Sequence, residues 1–221
     1  MQATGYGKDF GRNITNGVDL IHTGEDVMAI NAPVLSSNHE GADGWIETFN
    51  TNFVHYIGQN DPKHFDIEDI AHSLGQIPRF VGHCVKSYKV GQHSCIVCDL
   101  APDEYKLEAL MHDSAEAYVG DISRPLKYLV PDLKKIENWL LTQIFANFGL
   151  AFPFPEIIDI IDSRLLLAEG NQLFKKPVHW TVGNLTPIEY TFDVNKLWDE
   201  ERSEQEFLER FHKYWKLKHD D

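Results

Sequence analysis

The stretch "LMHDSAEAYVGDISRPLK", residues 110–127, starts as the apolar stripe of a helix and then sets His112 and Asp113 where a packed helix should stay apolar. Glu116 follows His112 by four positions, which on a regular helix places both on one face. Ahead of it, "PDEYKLEA" from Pro102 puts a proline and acids in a first turn, so the spacing predicts one helix from Pro102 to about Gly120. Ionisable groups carried into a buried stripe must find compensating partners there.

The sequence on either side is helical in pattern. "DIEDIAHSLGQIPRF" (66–80) reads as a short helix broken before Pro78, and "VGQHSCIVCDLAP" (90–102) as one that stops near Pro102. "PDLKKIENWLLTQIFANFGL" (131–150) opens on Pro131, repeats apolar residues at Leu133, Ile136, Leu140 and Ile144, and closes at Gly149. "IIDIIDSRLLLAEGNQLF" (157–174) lines up Ile158, Ile161 and Leu165, and "EQEFLERFHKYWKL" (204–217) sets Phe207, Leu208, Phe211 and Trp215 on one side. Residues 175 to about 200 read as an irregular connection. Residues 1–63, rich in Gly, Asn, Thr and Asp, read as an N-terminal extension of irregular structure with one or two short strands. The expected fold is mainly α, a helical bundle over residues 64–221 including the C-terminal helix, with no internal repeat.

Composition narrows the function. A chain of 221 residues with 43% hydrophobic residues can build a substantial core. Its formal net charge of -14 argues against binding a nucleic-acid polymer or an anionic membrane, which need clustered Lys and Arg. No apolar run approaches membrane-spanning length, and "MQATGYGKDFGRN" lacks the layout of a secretory signal, so the expectation is a cytoplasmic protein. Without such a signal the glycosylation match Asn13-Ile14-Thr15 reads as chance. The cysteines Cys84, Cys95 and Cys98 are too few and too bunched for a disulfide framework.

Asp162 shares its stripe with Ile158, Ile161 and Leu165, so it points inward and needs a partner: a structural salt bridge to Arg164 or Arg79, or a metal ion. Taken with His93, His112 and Asp113, it makes a set of two imidazoles and two carboxylates. Such a set suits one divalent ion, Co, Mn, Zn, Fe, Ni or Mg, with positions left for water and substrate. Glu116 can serve a bound water as a base or orienting group, or it is a solvated helix glutamate; Asp121 is a second acid-base group or a cap for "ISRPL". From Ile77 to Cys98 there is no acid, although the chain holds 34, and the gap carries Arg79, His83, Lys86 and Lys89 toward His93. An anion can be held there, with Lys127 as a further phosphate contact. "HSCIVC" (93–98) offers a competing zinc or redox reading, against thiols that simply pack a helix.

"GQHS", "LMHDSAEAYVGDISRPLK" and "IIDSRLLLAE", preceded by "RFVGH", resemble in order the His, His-Asp, Asp pattern of the HD-domain metal-dependent phosphohydrolases. The resemblance covers about residues 66–170 and is nearest to the branch of the bacterial 5'-deoxynucleotidases and the phage dATP triphosphohydrolases. It implies a helical bundle with a divalent metal on His93, His112, Asp113 and Asp162. It also implies Glu116 and Asp121 as the acid-base pair, Arg79 and Lys127 as phosphate contacts, and Phe80, commonly Trp in the 5'-deoxynucleotidases, beside the sugar. The activity implied is hydrolysis of a small-molecule (deoxy)nucleotide at the α-phosphate, first as a 5'-deoxynucleotidase releasing deoxynucleoside and phosphate from a monophosphate. The alternative is a dATP-type triphosphohydrolase releasing deoxynucleoside and triphosphate. Members of the branch commonly form homo-oligomers.

Overall fold

The computed structural model describes residues 44–219; most of the expected N-terminal extension, with Asn13-Ile14-Thr15, lies outside the described residues. Its last part forms a hairpin of β1 (Trp45–Glu47) and β2 (Phe53–His55), antiparallel with Ile46 opposite Val54. The turn is organised from the helical body. Asp69 accepts hydrogen bonds from Thr48 Oγ1 (2.5 Å), the Asn50 backbone N–H (2.6 Å) and Asn52 Nδ2 (2.9 Å). The Asn60 backbone N–H donates to Gln143 Oε1 at 2.8 Å, tying the segment to a later helix.

Eight helices follow among the described residues: α1 (Ile67–Gln76), α2 (Val90–Leu100), α3 (Lys106–Met111), α4 (Glu116–Val119), α5 (Arg124–Leu129), α6 (Pro131–Asn147), α7 (Glu156–Gln172) and α8 (Glu200–His219). Asp66 caps α1 by accepting the Glu68 N–H, and Pro78 ends it as the pattern requires. Pro131 opens α6 as expected, and residues 173–199 run without helix or strand. The described chain is mainly helical, and none of its helices is long and apolar enough to cross a membrane.

One expected element is not continuous. In place of a single helix from Pro102 to Gly120, a 3-10 turn at Asp103–Tyr105 leads into α3, and the helix breaks at residues 112–115 before α4 resumes. Across the break the backbone tightens to three-residue steps. Ser114 N–H donates to Met111 O and Glu116 N–H to Asp113 O, both at 2.9 Å. The pattern of apolar residues does not reveal the break, because a three-residue step keeps Leu110, Met111 and Ala115 buried. The short α5 also escapes the periodicity, since six residues with Pro125 in the first turn make too little of a stripe.

Helix α8 lies across α1, α2 and α3 and buries Phe207 and Phe211 in the larger core with Leu74, Leu110 and Phe145. Each such ring removed from water contributes roughly 1.5–3 kcal/mol. The contact between α2 and α8 depends on Gly91, where a Cβ would stand 2.7 Å from Ser203 Oγ. A second core joins α2 to α7 through Ile96, Val97, Ile158, Ile161 and Leu165. Because α7 packs on α2 and α3 lies beside it, α2, the His112–Asp113 break and α7 converge.

Candidate metal centre

That convergence brings four side chains together. His93 projects from α2, His112 and Asp113 from the break, and Asp162 from α7. Ligand atoms of His93, His112 and Asp162 lie within 4.8 Å of one another. His93 Nε2 stands 3.1 Å from Asp162 Oδ1 and 3.6 Å from Asp113 Oδ2, while His112 Nε2 is 3.2 Å from that same Asp113 oxygen. Asp113 thus lies within reach of both imidazoles and shares their space as a fourth donor.

The tautomers follow from the far side of each ring. His112 Nδ1 faces the Ala109 carbonyl at 2.8 Å, and a carbonyl can only accept, so Nδ1 carries the hydrogen. His93 Nδ1 faces Glu169 Oε1 at 2.7 Å and donates in the same way. In the neutral rings both Nε2 atoms therefore present lone pairs. They are buried and without a hydrogen-bond partner, and they face two carboxylates. Four electron-rich atoms directed at one point repel unless positive charge lies between them. A divalent transition ion fits this donor set, with outer partners already in place on both imidazoles.

The ionisation preferences agree. Burial and the Arg79 charge oppose protonation of His93, yet Glu169 and Asp162 outweigh them and raise it to about 9. Burial penalises the Asp162 carboxylate, but His93, with Nε2 3.1 Å away, brings it down to about 2. Burial likewise works against charged Asp113, and His112, His93 and Arg79 hold it well below the usual carboxylate range. The carboxylates thus stay ionised and favour positive charge between them, either a proton on an imidazole or a metal ion in its place.

Arg79, buried, donates from Nη2 to Glu169 Oε2 at 3.1 Å and from Nη1 toward Asp113 Oδ2 at 3.5 Å, leaving Nε unpartnered. It opens a 3-10 turn, Arg79–Gly82, in which Phe80 and Val81 take φ of 55° and 54°. For a β-branched valine this is strained backbone. Asp121 Oδ2 accepts the Phe80 N–H at 2.9 Å. The Phe80 ring stacks with Trp180 at 5.5 Å, an aromatic that the sequence pattern leaves in an irregular connection.

Glu116 is buried beside the cluster. The three-residue step from Asp113, rather than the four-residue spacing from His112, sets its direction, since residues three apart eclipse in such a turn. Burial, and then the charges of Asp113 and Asp121, push its carboxyl well above the usual range, and Oε2 has no partner. Lys127 stands 3.8 Å from Glu116 Oε1. It sits on α5 and is held by Glu137 Oε2 at 2.8 Å, a partner the sequence pattern does not indicate.

Lys89 is buried and bound to Glu200 and the Gln76 carbonyl, so it is not available to an anion, and Lys86 donates to Asn195 on the surface. His83 is exposed at the end of the Arg79 turn and is not drawn into the buried cluster. Arg164 donates to the Thr186 carbonyl and leaves Asp162 to His93 and, at 3.6 Å, to Arg124. Cys95 and Cys98 are free thiols packed in the core, as the packing reading expects. Glu169, fully buried, is a site residue that the sequence pattern does not single out, although it lies seven residues after Asp162 and so on the same face of α7.

No family model matches the chain. It is 38% identical over 131 residues to the uncharacterized protein YfdR of Escherichia coli (strain K12), covering 58% of this chain and 72% of YfdR. It is 28% identical over 141 residues to an uncharacterized protein of Rhodobacter capsulatus, covering 52% of this chain and 72% of that protein. The chain belongs to the family of YfdR.

Proposed function

We propose that this protein is an HD-domain type metal-dependent phosphohydrolase acting on deoxynucleotides at the α-phosphate. The reading rests first on one observation: the buried Nε2 atoms of His93 and His112, each ring fixed by a donor bond at Nδ1, face Asp113 and Asp162 with no hydrogen-bond partner of their own. Asp113 and Glu169 pair with the buried Arg79 guanidinium and Asp162 faces His93, so a divalent cation would take the place of the proton that these carboxylates otherwise favour on the imidazoles. Such an ion, when bound, supplies polarisation of a phosphate oxygen and acidification of a water.

The remaining steps belong to the chain. Arg79 offers its free Nε to the phosphate and sets it against the cluster. Water attacks phosphorus, the bond from phosphorus to the 5' oxygen breaks, and Glu116, whose burial favours the protonated form, gives that oxygen a proton. The proton lost by the attacking water recharges Glu116. Phe80 borders Arg79, and Trp180 stacks on Phe80, which together offer aromatic surface suited to a nucleoside.

A monophosphate is the substrate favoured. A triphosphate needs cations beyond the α-phosphate, whereas Lys89 is engaged by Glu200 and Lys127 by Glu137. The test is chromatography of products from each dNMP and dNTP with Mn- or Co-loaded protein. Deoxynucleoside plus phosphate from monophosphates supports the proposal. Deoxynucleoside plus intact triphosphate moves the assignment to a triphosphohydrolase, and metal binding with no turnover of any nucleotide removes it.

A further inference from the structure

Glu169 has no solvent exposure and three donors directed at its carboxylate. Oε1 accepts from His93 Nδ1 at 2.7 Å and from Tyr88 OH at 2.8 Å; Oε2 accepts from Arg79 Nη2 at 3.1 Å. The two oxygens thus serve different tasks, one on the metal-ligand side and one on the anion side. We infer that Glu169 is a positioning residue that holds His93 in its metal-binding tautomer and Arg79 in its phosphate-binding place at once. Its role toward Arg79 rests on the phosphohydrolase reading; its role toward His93 rests on the ligand set alone.

The reason lies in donors and acceptors. An acceptor opposite Nδ1 fixes the hydrogen there and frees Nε2 as a lone pair. An acceptor opposite Nη2 holds the guanidinium without using its Nε. Only a carboxylate accepts on both sides. A glutamine fills the same space but must turn its amide one way or the other. With its oxygen toward His93 and Tyr88, the NH2 faces the guanidinium, two donors meet, and Arg79 is displaced. With the oxygen toward Arg79, the NH2 faces His93 Nδ1, the hydrogen moves to Nε2, and that nitrogen can no longer bind a metal. Neither orientation preserves both functions, which a space-filling structural role does not predict.

The experiment is Glu169→Gln in the full chain, with Zn affinity by competition against a chelator and inorganic phosphate affinity by calorimetry on Zn-loaded protein. We expect a loss of about 10- to 100-fold in at least one of the two, the range for removing an outer partner of a metal ligand. Both affinities within about twofold of wild type in a folded variant would overturn the role. If the variant does not fold, long-range nitrogen-proton NMR on Zn-loaded wild type still decides. His93 with its hydrogen on Nδ1 is expected, and a hydrogen on Nε2 overturns the role. A wild type that binds no divalent ion would overturn the proposed function along with this role, whereas a metal-binding wild type with an indifferent Glu169→Gln overturns the role alone.

Discussion

Asp121 Oδ2 accepts the backbone N–H of Phe80 at 2.9 Å, binding the loop after α4 to the strained turn that carries Arg79. A hydrogen bond to a charged acceptor contributes about 1.5–3 kcal/mol, comparable to the strain of one residue at positive φ. Asp121→Ala is therefore expected to raise KM by about tenfold or more as Arg79 loses its setting. Asp121→Asn keeps an acceptor oxygen and should stay near wild type in KM. A collapse of kcat in Asp121→Asn matching that of a Glu116 variant would instead make Asp121 a proton-transfer group.

Glu116→Gln removes the proton carrier while keeping volume. Metal affinity should be unchanged and kcat should fall by about 10²–10⁴-fold. The pH dependence has a definite sign: burial raises this carboxyl, so its acid form persists to higher pH than that of an ordinary glutamate, and activity falls as pH rises through its shifted pKa. The alkaline limb should vanish in Glu116→Gln, which a pH–rate profile reads directly.

Asp162→Asn and His112→Ala test the donor set. Each should lower divalent-ion affinity by more than about 100-fold, beyond the effect of losing an outer partner. Elemental analysis after dialysis against Co should find metal in wild type and none in the variants. Retention of metal by both would exclude the cluster of His93, His112, Asp113 and Asp162 as the site.

Gly91→Ala tests how α8 is seated. The new Cβ would stand 2.7 Å from Ser203 Oγ and 3.3 Å from the Leu74 carbonyl, an overpacking that costs roughly 1–3 kcal/mol. Adding Ser203→Ala should restore part of that loss in chemical denaturation, because the backbone contact remains. No loss in the single variant would mean that α8 shifts freely on α2.

The thiols report burial. Cys84 is half-buried and pushed up to about 11 by burial first and Glu169 second, Cys98 up to about 12, and Cys95 well above its ordinary value. Since the thiolate is the reactive form, each becomes reactive only as pH rises toward its shifted pKa. Iodoacetamide at pH 8 should label native protein slowly and at Cys84 alone, with all three modified after denaturation. Mass spectrometry that finds Cys95 or Cys98 labelled first would contradict the packed core.

Periodic patterns act over ten or more residues, so α1, α2, α6, α7 and α8 are legible in the chain alone, together with the inward direction of Asp162. The His112–Asp113 pair also stands there in plain view. What each polar group faces is settled by packing, because a hydrogen-bond partner dozens of residues away leaves no local trace. Lys89 and Lys127 look alike as free cations in the chain; Glu200 and Glu137, brought in by α8 and α6, show that both are engaged. The same holds for the three-residue step that turns Glu116 toward Asp113, set by packing rather than by spacing. Glu169 sits between these limits. Its seven-residue interval from Asp162 placed it on the site's face of α7, but only the packing of α7 on α2 put His93, Tyr88 and Arg79 around one carboxylate.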